Sequence, residues 1–249
     1  MLAESLKVLG LIPARGGSKG IPRKNIRILA GKPLLQYTAE SALAARRLTR
    51  VVLSTEDAEI AEVGRRCGLD VPFLRPAELA RDDTPTLPVL QHAVRTLESA
   101  GERYDAVCLL QPTSPMRRSQ DIDACIELLG QADAESVVTL LPVPAEYNPH
   151  WVYFRSDDGF FRLSTGEANP IPRRQALPPA FRREGSVYVI RRDVLMRQDS
   201  LYGAKLAGCL IEASGSVNID TPQDWERAEE LLRSRAAADG QRVRSKTVH

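Results

Sequence analysis

The sequence predicts an α/β protein with a mostly parallel sheet, and three observations carry that reading. Apolar strand-like runs alternate with amphipathic stretches through the first half, two of those runs empty into polar turns, and 249 residues suffice for one substantial core. Composition is that of an ordinary globular chain, with 43% apolar and 27% charged residues. A net charge of +2, from 34 basic and 32 acidic residues, speaks against a nucleic-acid-binding surface. No stretch approaches the ~20 apolar residues of a membrane span.

Taken in order, strands are expected over residues 7–12, 50–54, 71–74, 106–110 and 136–141. The N-terminal run carries Glu4 and Lys7 and no small-residue cleavage pattern, so it reads as the first strand rather than a leader. Ser54 and Thr55 precede a helix near 57–66. Leu87, Leu90, Val94 and Leu97 repeat at helical spacing over 84–100, with Asp83 or Thr84 as cap. Ile122, Ile126 and Leu129 do the same after Ser119. Ligands of open α/β sheets sit at the carboxyl ends of the strands, which places the turns after residues 12 and 110 on one rim.

From 142 to 184 the character changes, with seven of the 17 prolines and a dense set of rings that includes Tyr147, Trp151, Phe154, Phe160 and Phe161. Such a segment buries its rings against its own sheet or a second subunit. Strands resume at 185–191 and 209–213. A helix over 221–235 has Pro222 in its first turn and Trp225, Ala228 and Leu232 on one face. The domain reads as 1–235, followed by a disordered basic tail over 236–249. Cys67, Cys108, Cys125 and Cys209 lie far apart without a C-x-x-C pair, as expected of thiols in a reducing, cytoplasmic setting.

Chemistry concentrates in residues 11–25, LIPARGGSKGIPRKN. Glycines let backbone N–H groups approach an anion, while Arg15, Lys19, Arg23 and Lys24 supply opposing charge. Neither G-x-x-x-x-G-K-[ST] nor G-x-G-x-x-G is present, which points to a nucleotide but away from ATPases and dinucleotide enzymes. The second turn, in LLQPTSPMR (109–117), is rich in hydrogen-bonding groups and prolines. The three histidines, His92, His150 and His249, are scattered, and no G-x-S-x-G occurs, so a direct displacement is expected rather than a covalent intermediate.

These two segments, with RPAELARDDTPT (75–86), RRQALPPAFRREGSVYV (173–189) and SVNIDTPQDW (216–225), resemble in order and spacing the acylneuraminate cytidylyltransferases. Those enzymes make CMP-sialic acid and related CMP-activated nine-carbon acidic sugars, and the resemblance spans about residues 6–235. It implies a three-layer, doubly wound sheet of the Rossmann-like nucleotide-diphospho-sugar transferase type. It also implies a protruding dimerisation arm at about 142–184, a homodimer with shared active sites, CTP as co-substrate and Mg²⁺.

Carried onto this chain, the resemblance puts Arg15 and the backbone of Ala14 and Gly16 on the phosphates, with Lys24 and Asn25 over the nucleotide. Arg75 and Thr86 take the cytosine, with Thr84 as the alternative because DDTPT is one residue longer than the commonest spacing. Gln111, Tyr188 and the arm residues Arg174 and Arg182 receive the sugar acid, with Arg173 as the alternative if the register slips by one. Tyr202 lies where the sugar's substituents are read. Arg15, Lys24, Gln111, Arg174 and Asp220 form the expected catalytic set. Asn218 and Asp220 stand where the family shows D-x-D, so Asp220 is expected to bind the metal directly and Asn218 weakly or through water. That asparagine keeps open a weakly catalytic, nucleotide-binding scaffold or regulator. Transfer to an eight-carbon ulosonic acid is opposed by the motifs at 16–20 and 111–115.

Overall fold

Side chains that alternate in the sequence point to opposite faces of a strand, and here they feed two separate cores. The computed structural model describes residues 6–212 and 216–246. Its strands are β1 (Val8–Pro13), β2 (Ile28–Leu29), β3 (Lys32–Pro33), β4 (Arg50–Ser54), β5 (Ala106–Leu109), β6 (Ser136–Pro142), β7 (Tyr153–Arg155), β8 (Phe161–Leu163), β9 (Phe181–Arg191) and β10 (Leu206–Leu210). The α-helices are α1 (Leu34–Leu43), α2 (Ala58–Arg66), α3 (Thr86–Ser99), α4 (Ser119–Gln131), α5 (Arg192–Arg197) and α6 (Pro222–Lys246).

Six strands form the main sheet in the order β10-β6-β9-β5-β1-β4. All neighbours are parallel except β9, which runs antiparallel between β5 and β6. On one face Val8, Ile12, Cys108 and Val189 pack with Leu35, Ile60, Ile122 and Ile126, from α1, α2 and α4. On the other, Leu9, Leu11, Val107 and Ile190 pack with Leu90, Val94 and Leu195, from α3 and α5. The result is the three-layer, doubly wound, mostly parallel arrangement that the resemblance implies. The chain leaves β1 for β4 on one side and returns to β5 on the other, so the strand order reverses between β1 and β5. Ligands enter such folds at that reversal. No helix among the described residues is long and apolar enough to cross a membrane.

Several expected elements are corrected. No strand forms at 71–74; only Asp70 bridges to Val52. Pro72 has no N–H to continue a ladder. Helix α3 starts at Thr86, preceded by Pro85 as N-cap, and not at Thr84. A residue before proline is driven out of the helical region, which bars Thr84. The strand expected at 209–213 is Leu206–Leu210; Ala213 lies outside the described residues. Helix α6 runs to Lys246, past Arg235 where the apolar period ends. Alanine, the strongest helix former, opens that extension at Ala236 and Ala237. Within 142–184 the hairpin β7–β8 leaves Phe154, Phe160 and Phe161 exposed.

One N-terminal cap ties the glycine-rich turn to the helical layer. Asp57 accepts from the N–H groups of Glu59 (2.9 Å) and Ile60 (3.0 Å) at the start of α2. It also pairs with Arg23 at 2.5 Å. The Arg23 guanidinium holds the Asp57 carboxyl below its usual range. A depressed folded-state value means the stabilisation is present at neutral pH and is lost as pH falls through that value. Asp57→Ala is expected to lower the unfolding free energy by about 1–2 kcal/mol at pH 7, with the difference shrinking in acid. Asp57→Asn, which retains a capping oxygen, is expected to lose only the Arg23 pairing; denaturant unfolding across pH measures both.

Candidate active site

The carboxyl ends of β1 and β5 and the extended segment before α6 enclose a cavity of about 470 Å³. Arg15, Lys24 and Asn25 line it from the glycine-rich turn. Arg75 and Thr86 line it from the side of α3, Gln111 from the turn after β5, and Asn218 and Asp220 from the segment before α6. Thr84 also reaches it, so the extra residue in DDTPT leaves both threonines at the wall.

Each cation of the turn has an acidic partner. Arg15 Nη1 lies 3.0 Å from Asp82 Oδ1 and donates to the Arg81 carbonyl at 2.8 Å, and Lys19 Nζ lies 2.9 Å from Asp82 Oδ2. Arg23 adopts the left-handed region (φ 54°) and turns to Asp57 and Glu59 of the α2 region, away from the cavity. Lys24 is mostly buried; its Nζ donates to the Ile219 carbonyl at 2.8 Å and lies 3.5 Å from Asp220. Burial lowers the Lys24 pKa against the opposing pull of Asp220.

The expected backbone cradle differs in detail. The Ala14 N–H donates to the Ser54 carbonyl (3.0 Å) and the Gly16 N–H to Glu56 Oε1 (2.6 Å), so neither is a free anion donor. Ala14 continues the β1–β4 ladder, and Gly16 is held by an acidic side chain. Asn25 is buried and donates to the Arg15 carbonyl at 2.9 Å, shaping the turn. A Cβ at Gly20 would stand 2.8 Å from the Asp220 carbonyl, so glycine there lets the turn and the Asp220 segment touch.

At the acidic wall, Asn218 Nδ2 donates to Asp220 Oδ2 at 2.5 Å in an extended, non-sheet segment. Asp220 is not the cap of α6. Asp224 Oδ2 accepts from the Asp220 N–H (3.1 Å) and the Thr221 N–H (2.8 Å), and Thr221 Oγ1 accepts from the Asp224 N–H (3.2 Å). Thr221 and Asp224 close the helix start between them, which leaves the Asp220 carboxylate to the cavity. No group of three or more His, Cys, Asp or Glu residues suited to a metal occurs among the described residues. One carboxylate and one amide fit a hard cation that keeps most of its ligands as water and phosphate, and do not fit a metal needing an all-protein cage.

Four expected acceptor residues lie elsewhere. Arg174 and Arg182 sit exposed in the 142–184 region and at the outer end of β9, with no ion pair among the described residues. Tyr188 is buried in the α3-side core, edge-on to Tyr202 at 6.3 Å. The Tyr202 hydroxyl accepts from Arg183 Nη1 at 2.5 Å. Gln111 alone of the acceptor set lines the cavity.

Three residues escaped the sequence reading. Asp82 neutralises Arg15 and Lys19, Glu56 bridges Gly16 and Arg75, and Arg117 props the Gln111 turn. Arg117 is buried and donates to the Ser186 carbonyl (2.7 Å), Thr38 Oγ1 (2.9 Å) and the Gln111 carbonyl (2.5 Å). Burial pushes its pKa down to about 10. The sequence signal for Glu56 was only its place just after an apolar strand.

A doubly wound sheet whose reversal point carries a cationic glycine-rich turn is the framework of a nucleotidyltransferase, and the comparisons agree. Residues 9–243 match the family described as Cytidylyltransferase, and the chain belongs to that family. It is 33% identical to the CMP-N,N'-diacetyllegionaminic acid synthase of Legionella pneumophila, over 91% of this chain and 97% of that protein. It is 32% identical to a pseudaminic acid cytidylyltransferase of Campylobacter jejuni, over 92% and 97% of the two chains. Among solved structures, a CMP:2-keto-3-deoxy-manno-octonic acid synthetase complexed with CTP superposes with a TM-score of 0.72 at 20% identity, covering 92% of this chain and 99% of that one. That likeness shows the fold.

The Lys24 environment has a measurable consequence. Its folded-state pKa lies below the ordinary 10.5, so the ammonium is lost, and with it the attraction for an anion, as pH rises through that lower value. Stability moves the other way, rising over the same window as the buried charge disappears. Binding of inorganic tripolyphosphate is expected to weaken in alkali before a free lysine titrates. Lys24→Arg, which stays charged, should extend binding to higher pH in calorimetric titrations.

Proposed function

We propose that the protein transfers CMP from CTP to the anomeric hydroxyl of a nonulosonic acid, a nine-carbon sugar acid of the legionaminic, pseudaminic or sialic type, with release of pyrophosphate. The observation that carries this reading is the convergence of Arg15, Lys24, Gln111 and Asp220 on one cavity, in a chain 33% and 32% identical to a legionaminic acid synthase and a pseudaminic acid cytidylyltransferase.

In the proposed reaction the triphosphate displaces Asp82 from Arg15 and Lys19, exchanging an internal carboxylate for a more highly charged ligand. A cation about 4 Å from a phosphate charge contributes roughly 4 kcal/mol at an effective dielectric near 20. Lys24 adds its charge from a largely desolvated position, where it is less screened. Arg75 and Thr86 meet the pyrimidine, and Gln111 orients the sugar acid. The sugar oxygen forms a bond to the α-phosphorus as the bond to the pyrophosphate oxygen breaks, and the hydroxyl proton is released. Asp220, with Asn218 once its amide oxygen turns inward, would hold Mg²⁺, which supplies Lewis-acid stabilisation of phosphate charge.

The reading extends to a homodimer. Arg174 and Arg182 lie outside this chain's cavity, and Tyr147, Phe154, Phe160 and Phe161 of the same 142–184 region are exposed. A partner's site gives both groups an occupation: rings buried between subunits and guanidinium groups paired with the acceptor carboxylate.

Pyrophosphate release from CTP and Mg²⁺ with a panel of nonulosonic acids, an eight-carbon control and a no-sugar blank tests the reading. Release dependent on a nine-carbon acid is expected. CTP binding without release for any acceptor would overturn it in favour of the scaffold that Asn218 suggests, and release with the eight-carbon acid alone would reassign the acceptor. Asp220→Asn is expected to lower turnover ~100-fold or more and raise the Mg²⁺ requirement. An unchanged Mg²⁺ dependence would remove Asp220 from the metal site.

A further inference from the structure

Glu56 follows β4 on the same rim as the glycine-rich turn, and its two carboxylate oxygens serve two different parts of the cavity. Oε1 accepts from the Gly16 N–H at 2.6 Å, and Oε2 accepts from Arg75 Nη2 at 2.8 Å. The Arg75 side chain is only 3% exposed and that of Glu56 19%, so the pair is shielded from solvent. The next residue back fixes Arg75 as well, since the Arg75 N–H donates to the Thr55 carbonyl at 2.8 Å. The end of β4 therefore holds both the main chain and the side chain of an arginine that lines the cavity.

Three buried polar atoms lack partners among the described residues: Ser54 Oγ at the end of β4, Arg75 Nε, and Nδ1 of His92 on α3. Burial and the nearby Arg75 charge both lower the His92 pKa. Buried groups of this kind are ordinarily satisfied, and Arg75 itself lines the cavity. A guanidinium presents its donors in a rigid plane, so fixing one edge on Glu56 fixes the direction of the remaining ones.

We propose that Glu56 is a positioning residue that couples base recognition to phosphate binding. One carboxylate aims Arg75 at the pyrimidine and sets the Gly16 turn against the triphosphate, so the two ends of CTP are held at a fixed separation. This rests on the reading of the cavity as a CTP site and adds a residue that acts through Arg75 and Gly16 without touching the nucleotide.

The test measures kcat/KM for CTP and UTP in the wild type, Glu56→Gln, Glu56→Asp, Arg75→Met and the Glu56→Gln/Arg75→Met double variant. Glutamine keeps the shape but turns an NH₂ toward one of two donors. Glu56→Gln is expected to raise the KM for CTP ~10–100-fold, the cost of unpairing a buried hydrogen-bonded partner, with the KM for the sugar acid unchanged. The preference for CTP over UTP should fall with it, and Glu56→Asp should recover part of the loss. Because the CTP/UTP ratio is taken within one preparation, a smaller folded fraction does not alter it. In the Arg75→Met background, Glu56→Gln should change that ratio by less than ~3-fold, since residues acting as a unit are not additive. An unchanged CTP/UTP preference in Glu56→Gln, or effects of the two changes that multiply, would overturn the proposal while leaving the CTP reading intact. A wild type that turns over neither nucleotide would overturn both.

Discussion

Four cations packed within ten residues repel one another, and much of the molecule's upper rim is arranged to hold them in place. Arg15 and Lys19 share Asp82, Arg23 is drawn to the start of α2, and Lys24 lies against the segment before α6. The four ties run to three different parts of the fold. Electrostatic pairing thus places the loop between β4, α3 and α6 more than packing does, for the turn itself contributes one large apolar side chain, Ile21, to a core cluster. The same pairing means that the site's cations are already compensated within the protein. A ligand must offer more charge than a single carboxylate to displace it, and a triphosphate does.

The main architecture was legible because it follows from local pattern. Apolar runs of strand length alternate with helical periods, and the rim where the two polar turns meet follows from strand direction. Arg15, Lys24, Asn25 and Gln111 could be picked out because the family's motifs follow strand ends, and Asp220 through the family's D-x-D pattern alone; all five line one cavity. What escaped depends on contacts distant in sequence. Asp82 is one acid among 32, and nothing local distinguishes it from Asp83. Arg117 stands in a quoted motif, yet its importance lies in reaching Thr38 and Ser186. The strand misplaced at 71–74 and the helix started too early at Thr84 share a cause: prolines at 72 and 85 outweigh apolar content and capping chemistry.

Asn218 shows how far one substitution can be judged from its surroundings. In sequence it removes a charge from the place where the resembled family shows D-x-D. In the fold, Thr221 and Asp224 relieve Asp220 of the capping duty that its position before Pro222 suggests. The surviving carboxylate is therefore committed to the cavity, beside a lysine whose charge is costly to keep there.

Strand β9 is where the 142–184 region meets the core. Its outer residues, Phe181–Arg183, ladder only with the end of β6, whereas Tyr188–Ile190 are clamped between β5 and β6. Between them lies an irregular register at Thr139, with Gly185 at φ 82° and Glu184 bonded to Thr139, Ser186 and Ser216. The strand is thus a cantilever: its root is built into the centre of the sheet, and its free length carries the exposed rings. Load applied at the tip is borne at the bulge, and Tyr188, just inside it, pairs with Leu109, two residues before Gln111. The far end of this beam is thus joined to the wall of the cavity in two stages, along β9 to Tyr188 and then across the β9–β5 ladder to the strand that ends at the Gln111 turn.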